Sequence, residues 1–227
     1  MKFLYDGLCL QNGRDSNMDR LLLAERKISK IGVMFAVVCD GVGSMTDGAY
    51  ASSESVRMLN EWFARIDNTE RVGLRLRDEV QIINERITES TKSLGLESAT
   101  TLSALLIIDK QIHIVHAGDS RIYVVDKDIL QQLTVDAVTE AGHLTTFIGR
   151  NSNVDLFYAE GQATGNVFLL CSDGLYKRLP NDDPVYSDID TSNKKSISKS
   201  LALLTETAIK RGERDNISVA LIKLKEK

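Results

Sequence analysis

Val33-Met34-Phe35-Ala36-Val37-Val38-Cys39 runs apolar without a break and stops at Asp40-Gly41-Val42-Gly43. A run this short and this apolar predicts a strand covered on both faces, ending where it delivers a carboxylate to an exposed edge. The arrangement recurs. Ala117-Gly118-Asp119-Ser120-Arg121, Leu170-Cys171-Ser172-Asp173-Gly174 and Arg214-Asp215-Asn216-Ile217-Ser218 each set an acid against an apolar stretch. Several carboxylates at one sheet edge repel each other and resist ionisation. A hard divalent cation such as magnesium, calcium or manganese reverses that penalty, because it prefers oxygen ligands. The chain therefore reads as a metal enzyme built on aspartate.

Across 227 residues no Pro/Gly/Ser-rich linker appears, so residues 1–227 are expected to form a single domain. Hydrophobic residues make up 43%, enough for a core and against disorder. A net charge of −4 with no basic stripe speaks against a nucleic-acid partner. The opening Met1-Lys2-Phe3-Leu4-Tyr5-Asp6 meets charge too early for a signal peptide, and no apolar run is long enough for a membrane span. Cys9, Cys39 and Cys171 lack a pairing or zinc spacing and read as buried free thiols in a reducing compartment, so a cytoplasmic protein is expected.

Strands are predicted at Lys2–Gln11 and Leu21–Glu25, flanking the polar loop Asn12–Asp19, and then at Gly32–Cys39. Two helices follow. One carries Ala49, Ser52, Val56, Leu59, Trp62 and Ile66 on one face; the other carries Val72, Leu76, Val80, Ile83 and Ile87, with Asn68-Thr69 as its expected cap. Strands resume at Thr100–Ile108, Gln111–His116, Arg121–Asp126, Ile129–Leu133, Asp155–Ala159 and Val167–Cys171, with connections short enough to favour antiparallel pairing. After a polar loop at Asn181–Lys195 come a helix over Lys194–Lys210 and a closing strand at Ile217–Leu224. Strands in blocks, rather than in strict alternation with helices, predict an α+β fold in which antiparallel sheets are covered by helices.

Aspartates followed by glycine suit a binuclear centre, in which two cations share and acidify a water in line with a phosphorus atom. Gly41, without a Cβ, leaves its carbonyl free to approach an ion. Arg14 offers a planar fork for phosphate oxygens. The ordered set Arg14, Asn17-x-Asp19, Asp40-Gly41-x-Gly43, Thr100-Thr101, Gly118-Asp119-Ser120-Arg121-x-Tyr123, Ser172-Asp173-Gly174-Leu175 and Asp215-Asn216-x-Ser218 resembles the metal-dependent PPM-type (protein phosphatase 2C) serine/threonine phosphatases of bacteria. Gly48-Ala49-x-Ala51-Ser52 resembles the family pattern too, and the likeness runs from Arg14 to Ser218.

The resemblance implies a four-layer sandwich of two antiparallel sheets flanked by helices. It implies Asp40 bridging two manganese or magnesium ions, with the Gly41 carbonyl, Asp173 and Asp215 completing the protein ligands. Asp119 would correspond to an acid that helps hold a third, weaker metal in many bacterial members. Asp19 would act mostly through metal-bound water, and Arg14 would bind the substrate phosphate. The reaction implied is hydrolysis of phosphoserine or phosphothreonine in proteins by activated water, opposite a cognate serine/threonine kinase, by a monomer.

Three positions depart from the family pattern. Met18 stands where Glu or Gln is usual, Val42 stands where many eukaryotic members carry His, and only Val135–Thr146 remains where bacterial members have a flap. Several residues also have plainer readings. Asp119 reads equally as a turn carboxylate paired with Arg121, Asp19 as a turn cap, Thr100-Thr101 as strand packing, and His113, His116 and His143 as structural or surface residues. Met18 and the short flap motivate a rival reading, a catalytically weak or silent module that docks a kinase or other phosphoprotein. A small-molecule phosphatase ranks lower, and a haloacid-dehalogenase-type enzyme is disfavoured because Leu4-Tyr5-Asp6-Gly7 lacks the Asp-x-Asp nucleophile.

Overall fold

The apolar run becomes β3 (Ile31–Cys39), whose residues from Gly32 onward are buried on both faces. Alternation splits it cleanly. Val33, Phe35, Val37 and Cys39 face a helical layer, while Met34, Ala36 and Val38 face a second sheet. The structure, a computed structural model, describes residues 1–43, 45, 47–126 and 129–225.

Around β3 the chain builds two five-stranded antiparallel sheets. The first contains β2 (Arg20–Ile28), β3, β4 (Leu102–Ile108), β5 (Gln111–Ala117) and β8 (Phe157–Gln162), in that order. The second runs β1 (Lys2–Leu10), β10 (Ile217–Lys225), β9 (Val167–Cys171), β6 (Arg121–Asp126) and β7 (Ile129–Gln132). Helices α1 (Gly48–Arg65) and α2 (Val72–Leu94) cover the first sheet. The single-turn α3 (Asp173–Tyr176) and α4 (Lys194–Lys210) cover the second. Between the sheets lies a third apolar layer with Phe168, Leu170, Ile222 and Leu105. The α+β four-layer sandwich expected from the sequence is the observed fold.

Register decides where the chemistry can gather. Cys39 at the end of β3 pairs with Arg20 at the start of β2, and Ala117 at the end of β5 pairs with Leu102 at the start of β4. In the other sheet, Cys171 at the end of β9 pairs with Arg121 and Val219, and Leu10 at the end of β1 pairs with Ile217. The ends of β1, β3, β5 and β9 therefore share one edge of the sandwich with the starts of β2, β4, β6 and β10. Every acid singled out in the sequence sits in a connection at that edge.

Two local expectations are corrected. Asn68-Thr69 does not cap α2; the cap position is Arg71, in left-handed backbone (φ 46°) and without a side-chain cap. Asn68 Oδ1 instead accepts from Glu70 N at 3.1 Å, closing a turn before the helix begins. The stretch read as a polar loop, Asn181–Lys195, contains a 3₁₀ turn at Pro184–Asp188. It forms because Asp183 caps it and Pro184 sits at its start, while Val185 and Tyr186 bury beneath it. Among the described residues no helix is long and apolar enough to cross a membrane.

Phe35 is fully buried and meets Trp62 edge-on at 5.9 Å and Phe63 at 5.2 Å between ring centroids. Phe35→Ala is expected to cost about 3–5 kcal/mol by removing the side chain that joins β3 to α1. Urea unfolding followed by circular dichroism measures it; a loss below about 1 kcal/mol would show that the contact carries little.

Candidate active site

A cleft of about 500 Å³ opens at the shared edge, lined by Arg14, Asp40, Gly41, Asp119, Asp173 and Asp215. Met18, Val42, Thr101, Lys177 and Asn216 also line it, as do Gly142 and Leu144 from the connection between β7 and β8. Six of the seven residues singled out from sequence thus share one wall system. The seventh, Asp19, is 1% exposed and lies behind that surface.

Asp40 is fixed through its backbone. Its N–H donates to Thr101 Oγ1 at 3.0 Å, and its carbonyl accepts from Thr100 Oγ1 at 2.9 Å and from the Thr101 N–H at 2.8 Å. Thr100-Thr101 is therefore more than strand packing; it clamps the strand end that carries the acid. The Thr101 hydroxyl also lies 2.7 Å from Ser120 Oγ, which ties Asp40 to the turn bearing Asp119. That turn needs glycine: Gly118 has φ +106° and would press a Cβ to 2.7 Å from Thr101. At Gly41 the constraint is close packing, since a Cβ would stand 2.5 Å from the Gly48 carbonyl oxygen at the start of α1.

Asp215 precedes β10 and receives the Arg14 fork, Nε to Oδ1 at 2.8 Å and Nη2 to Oδ2 at 2.6 Å. Its neighbour Asn216 holds the loop that presents Arg14. Asn216 Oδ1 accepts from Met18 N at 2.9 Å, and its Nδ2 donates to the carbonyls of Gln11 and Ser16 at 2.8 and 3.0 Å. The Met18 backbone is thus used on both sides, its carbonyl accepting from Ser52 Oγ at 2.6 Å. Asp173 opens α3, and one turn later Lys177 places its ammonium on Asp173 Oδ2.

Asp119 is not paired with Arg121. Arg121 forks instead onto Asp136 at 2.6–3.1 Å and lies 3.6 Å above the Tyr176 ring. The Tyr176 hydroxyl donates to Asp119 Oδ2 at 3.2 Å. His113 and His116 stand on opposite faces of β5 and away from the cleft. His113 meets Tyr158, and His116 bridges Ser103 and the Val135 carbonyl. His143 is exposed.

The electrostatics follow from this crowding. Burial, followed by the charges of Asp19, Asp173 and Asp119, pushes Asp40 well above the usual carboxylate range. Burial and then Asp173 raise Asp119. For Asp215 burial also pushes upward, but the Arg14 fork and the Asn216 N–H outweigh it and hold the carboxyl below its ordinary value. Asp19 is pushed up to about 6 by burial, against a 2.7 Å hydrogen bond from Ser172 to its Oδ2. Its other oxygen, Oδ1, is buried without a partner.

Among the described residues no three His, Cys, Asp or Glu side chains form a group able to hold a metal ion by themselves. The donors nonetheless have the chemistry of a hard-cation site: oxygen only, mutually repelling, and including the orphaned Asp19 Oδ1. The Asp40 and Asp119 carboxyls resist ionisation, which is the penalty that a divalent cation removes.

Sequence reasoning did not single out Tyr176, Lys177 or Ser172 as residues of the site. The four-residue step from Asp173 to Lys177 was a signal for one of them, once the turn after Asp173 is helical. Nothing in the sequence marks the hydroxyl of Tyr176 for Asp119, because that contact joins β5–β6 to α3.

The raised Asp19 has a measurable consequence in metal-free protein. Its folded value of about 6 lies above the ordinary 3.8, so the folded state retains a proton that the unfolded chain releases. The resulting destabilisation is absent below about pH 4, grows as pH rises, and is complete above about pH 6. Asp19→Asn is therefore expected to stabilise chelator-treated protein at pH 7.5 by on the order of 3 kcal/mol, and by little at pH 4. Denaturant titrations at the two pH values measure it; equal effects at both would refute the account.

Residues 11–207 match the family described as protein phosphatase 2C. The serine/threonine phosphatase stp of Listeria welshimeri is 30% identical over 213 residues, which cover 82% of each chain. Protein phosphatase PhpP of Streptococcus pneumoniae is 29% identical over 233 residues, covering 88% of this chain and 89% of that one. In fold, the serine/threonine phosphatase Stp1 from Staphylococcus aureus matches with a TM-score of 0.87 at 19% identity, over 100% of this chain and 96% of that one. With a match over most of its length, on a sandwich that collects these aspartates at one edge, the chain belongs to the protein phosphatase 2C family and is a protein phosphatase enzyme.

Proposed function

We propose that this chain is one catalytic domain that hydrolyses phosphoserine and phosphothreonine in proteins with manganese or magnesium as cofactor. The observation that carries the reading is the convergence of Asp40, Asp119, Asp173 and Asp215 on a single cleft, beside Arg14. Asp40, the Gly41 carbonyl, Asp173 and Asp215 would hold two divalent ions, with Asp119 as a candidate for a third. When bound, such ions acidify water and neutralise charge on a phosphoryl group.

The chain's own residues supply the rest. Arg14 is 56% exposed and uses its Nε and Nη2 on Asp215, so its Nη1 side would meet the phosphate oxygens. The clamp from Thr100 and Thr101 holds Asp40 so that no reorganisation is needed at the moment of reaction. Asp19, buried with its Oδ1 unpartnered, would accept a proton or a hydrogen bond from water. Proton transfer to the leaving hydroxyl would fall to solvent, since Val42 brings no titratable group to the cleft and His113 and His116 are engaged elsewhere. The substrate would be a phosphoprotein of a serine/threonine kinase, with both proteins in the cytoplasm. The names of the Listeria and Streptococcus relatives, a serine/threonine phosphatase and a protein phosphatase, support the phosphoprotein part of this reading.

Retention of every cleft acid argues against a silent binding module. Repelling carboxylates cost stability, and a site without a cation has nothing to offset that cost.

Phosphate release from a phosphothreonine peptide is expected to require manganese or magnesium and to fall about 1000-fold or more in Asp40→Asn. Isothermal titration with manganese should show Asp40→Asn losing the tight binding of the wild type. Metal-independent release, or wild-type turnover by Asp40→Asn, would overturn the assignment.

A further inference from the structure

Two cations line the cleft among the described residues, and the reading above employs only one of them. Arg14 comes from the β1–β2 loop and forks onto Asp215. Lys177 comes from the end of α3 and contacts Asp173. Asp173 follows β9 and Asp215 precedes its neighbour β10, so both cations are presented at the same end of the cleft. We propose that Lys177 is a second phosphate-binding cation, acting beside Arg14 on the non-bridging oxygens of the substrate's phosphoryl group. The inference rests on the phosphatase reading and adds to it a residue that determines phosphate affinity.

The contact with Asp173 does not use up this lysine. The Asp173 side chain is only 15% exposed, but that of Lys177 is 55% exposed, so its ammonium stays open to the cleft that it lines. An ammonium offers three donors, and Asp173 is its one ion-pair partner among the described residues, so donors remain for a ligand. Its flexible four-carbon stem lets the charge move from Asp173 to a nearby phosphate oxygen without moving the backbone.

The nearby cations are committed elsewhere. Arg178 pairs with Glu213 at 3.2 Å, Arg211 pairs with Asp183, and Arg121 is forked onto Asp136. A phosphate monoester is a dianion entering a cleft walled by carboxylates, so charge balance favours every available cation. Arg14 alone provides a single positive charge. Lys177 doubles the chain's own contribution, and as a point charge it does not compete for the planar fork geometry that Arg14 satisfies.

The experiment compares wild type, Lys177→Gln and Lys177→Arg at saturating manganese. Binding of inorganic phosphate is read by ³¹P nuclear magnetic resonance or calorimetry, and KM and kcat are measured on a phosphothreonine peptide. Lys177→Gln is expected to raise both the phosphate Kd and the peptide KM about tenfold while kcat changes less than about threefold, and Lys177→Arg should restore most of the affinity. An unchanged phosphate Kd in Lys177→Gln overturns the proposal, even if kcat or manganese affinity shifts, because Lys177 would then act on Asp173 alone. A rise in peptide KM without a rise in phosphate Kd also overturns it, by moving the contact to the peptide. The phosphate titration needs no turnover. If the wild type released no phosphate, the phosphatase reading would fall while the role of Lys177 in phosphate binding would still be decided.

Discussion

Like charges brought together at one edge of a sandwich are the constraint from which the rest of this protein follows. Asp173 raises the cost of ionising both Asp40 and Asp119, and Asp119 and the buried Asp19 add to it at Asp40. Such a cluster survives only if the surrounding structure is stable enough to tolerate it. Three apolar layers supply that stability: one between the sheets and one beneath each helical cover. The cations in the cleft, Arg14 and Lys177, relieve part of the repulsion and leave Asp40 without a cationic partner among the described ion pairs.

Asp40 and the loops on either side of the cleft are held through backbone contacts, while Asp215, Asp173 and Asp119 also have side-chain partners. Thr100 and Thr101 grip the main chain of Asp40, Asn216 grips the main chain of the Arg14 loop, and Asn12 Nδ2 donates to the Asp215 carbonyl at 2.9 Å. The grip on Asp40 uses none of its carboxylate oxygens. The same logic explains why Met18 is tolerated where the family pattern has a polar side chain. Its N–H and carbonyl do the structural work with Asn216 and Ser52, while the side chain packs near Gly41 and Gly48. The connection between β7 and β8 is likewise held by its main chain, with Ala137 N donating to the Gly118 carbonyl at 2.7 Å. Its Gly142 and Leu144 reach the cleft.

The strands and the long helices were legible because burial leaves a periodic trace. The helix at Lys194–Lys210 was read to its exact bounds, and β3 and β9 to within a residue. Local features with no period were read less well. α3 is a single turn, the 3₁₀ turn at Pro184–Asp188 lies in a polar stretch, and the start of α2 is set by the left-handed Arg71 rather than by a capping side chain. Arg121 illustrates a different limit. Its sequence neighbour Asp119 looked like its partner, yet the register of β6 turns it toward Asp136.

The sequence alone determined the layers and the roster of acids, because apolar alternation and Asp-Gly strand ends are properties of short segments. It also determined the family, through the order of those segments. Only the tertiary structure decided which atoms meet. It set Asp19 behind the cleft wall, Tyr176 against Asp119 and Lys177 against Asp173. Such contacts depend on strand register and on the geometry of a single helical turn, and neither is written in the chemistry of any one segment.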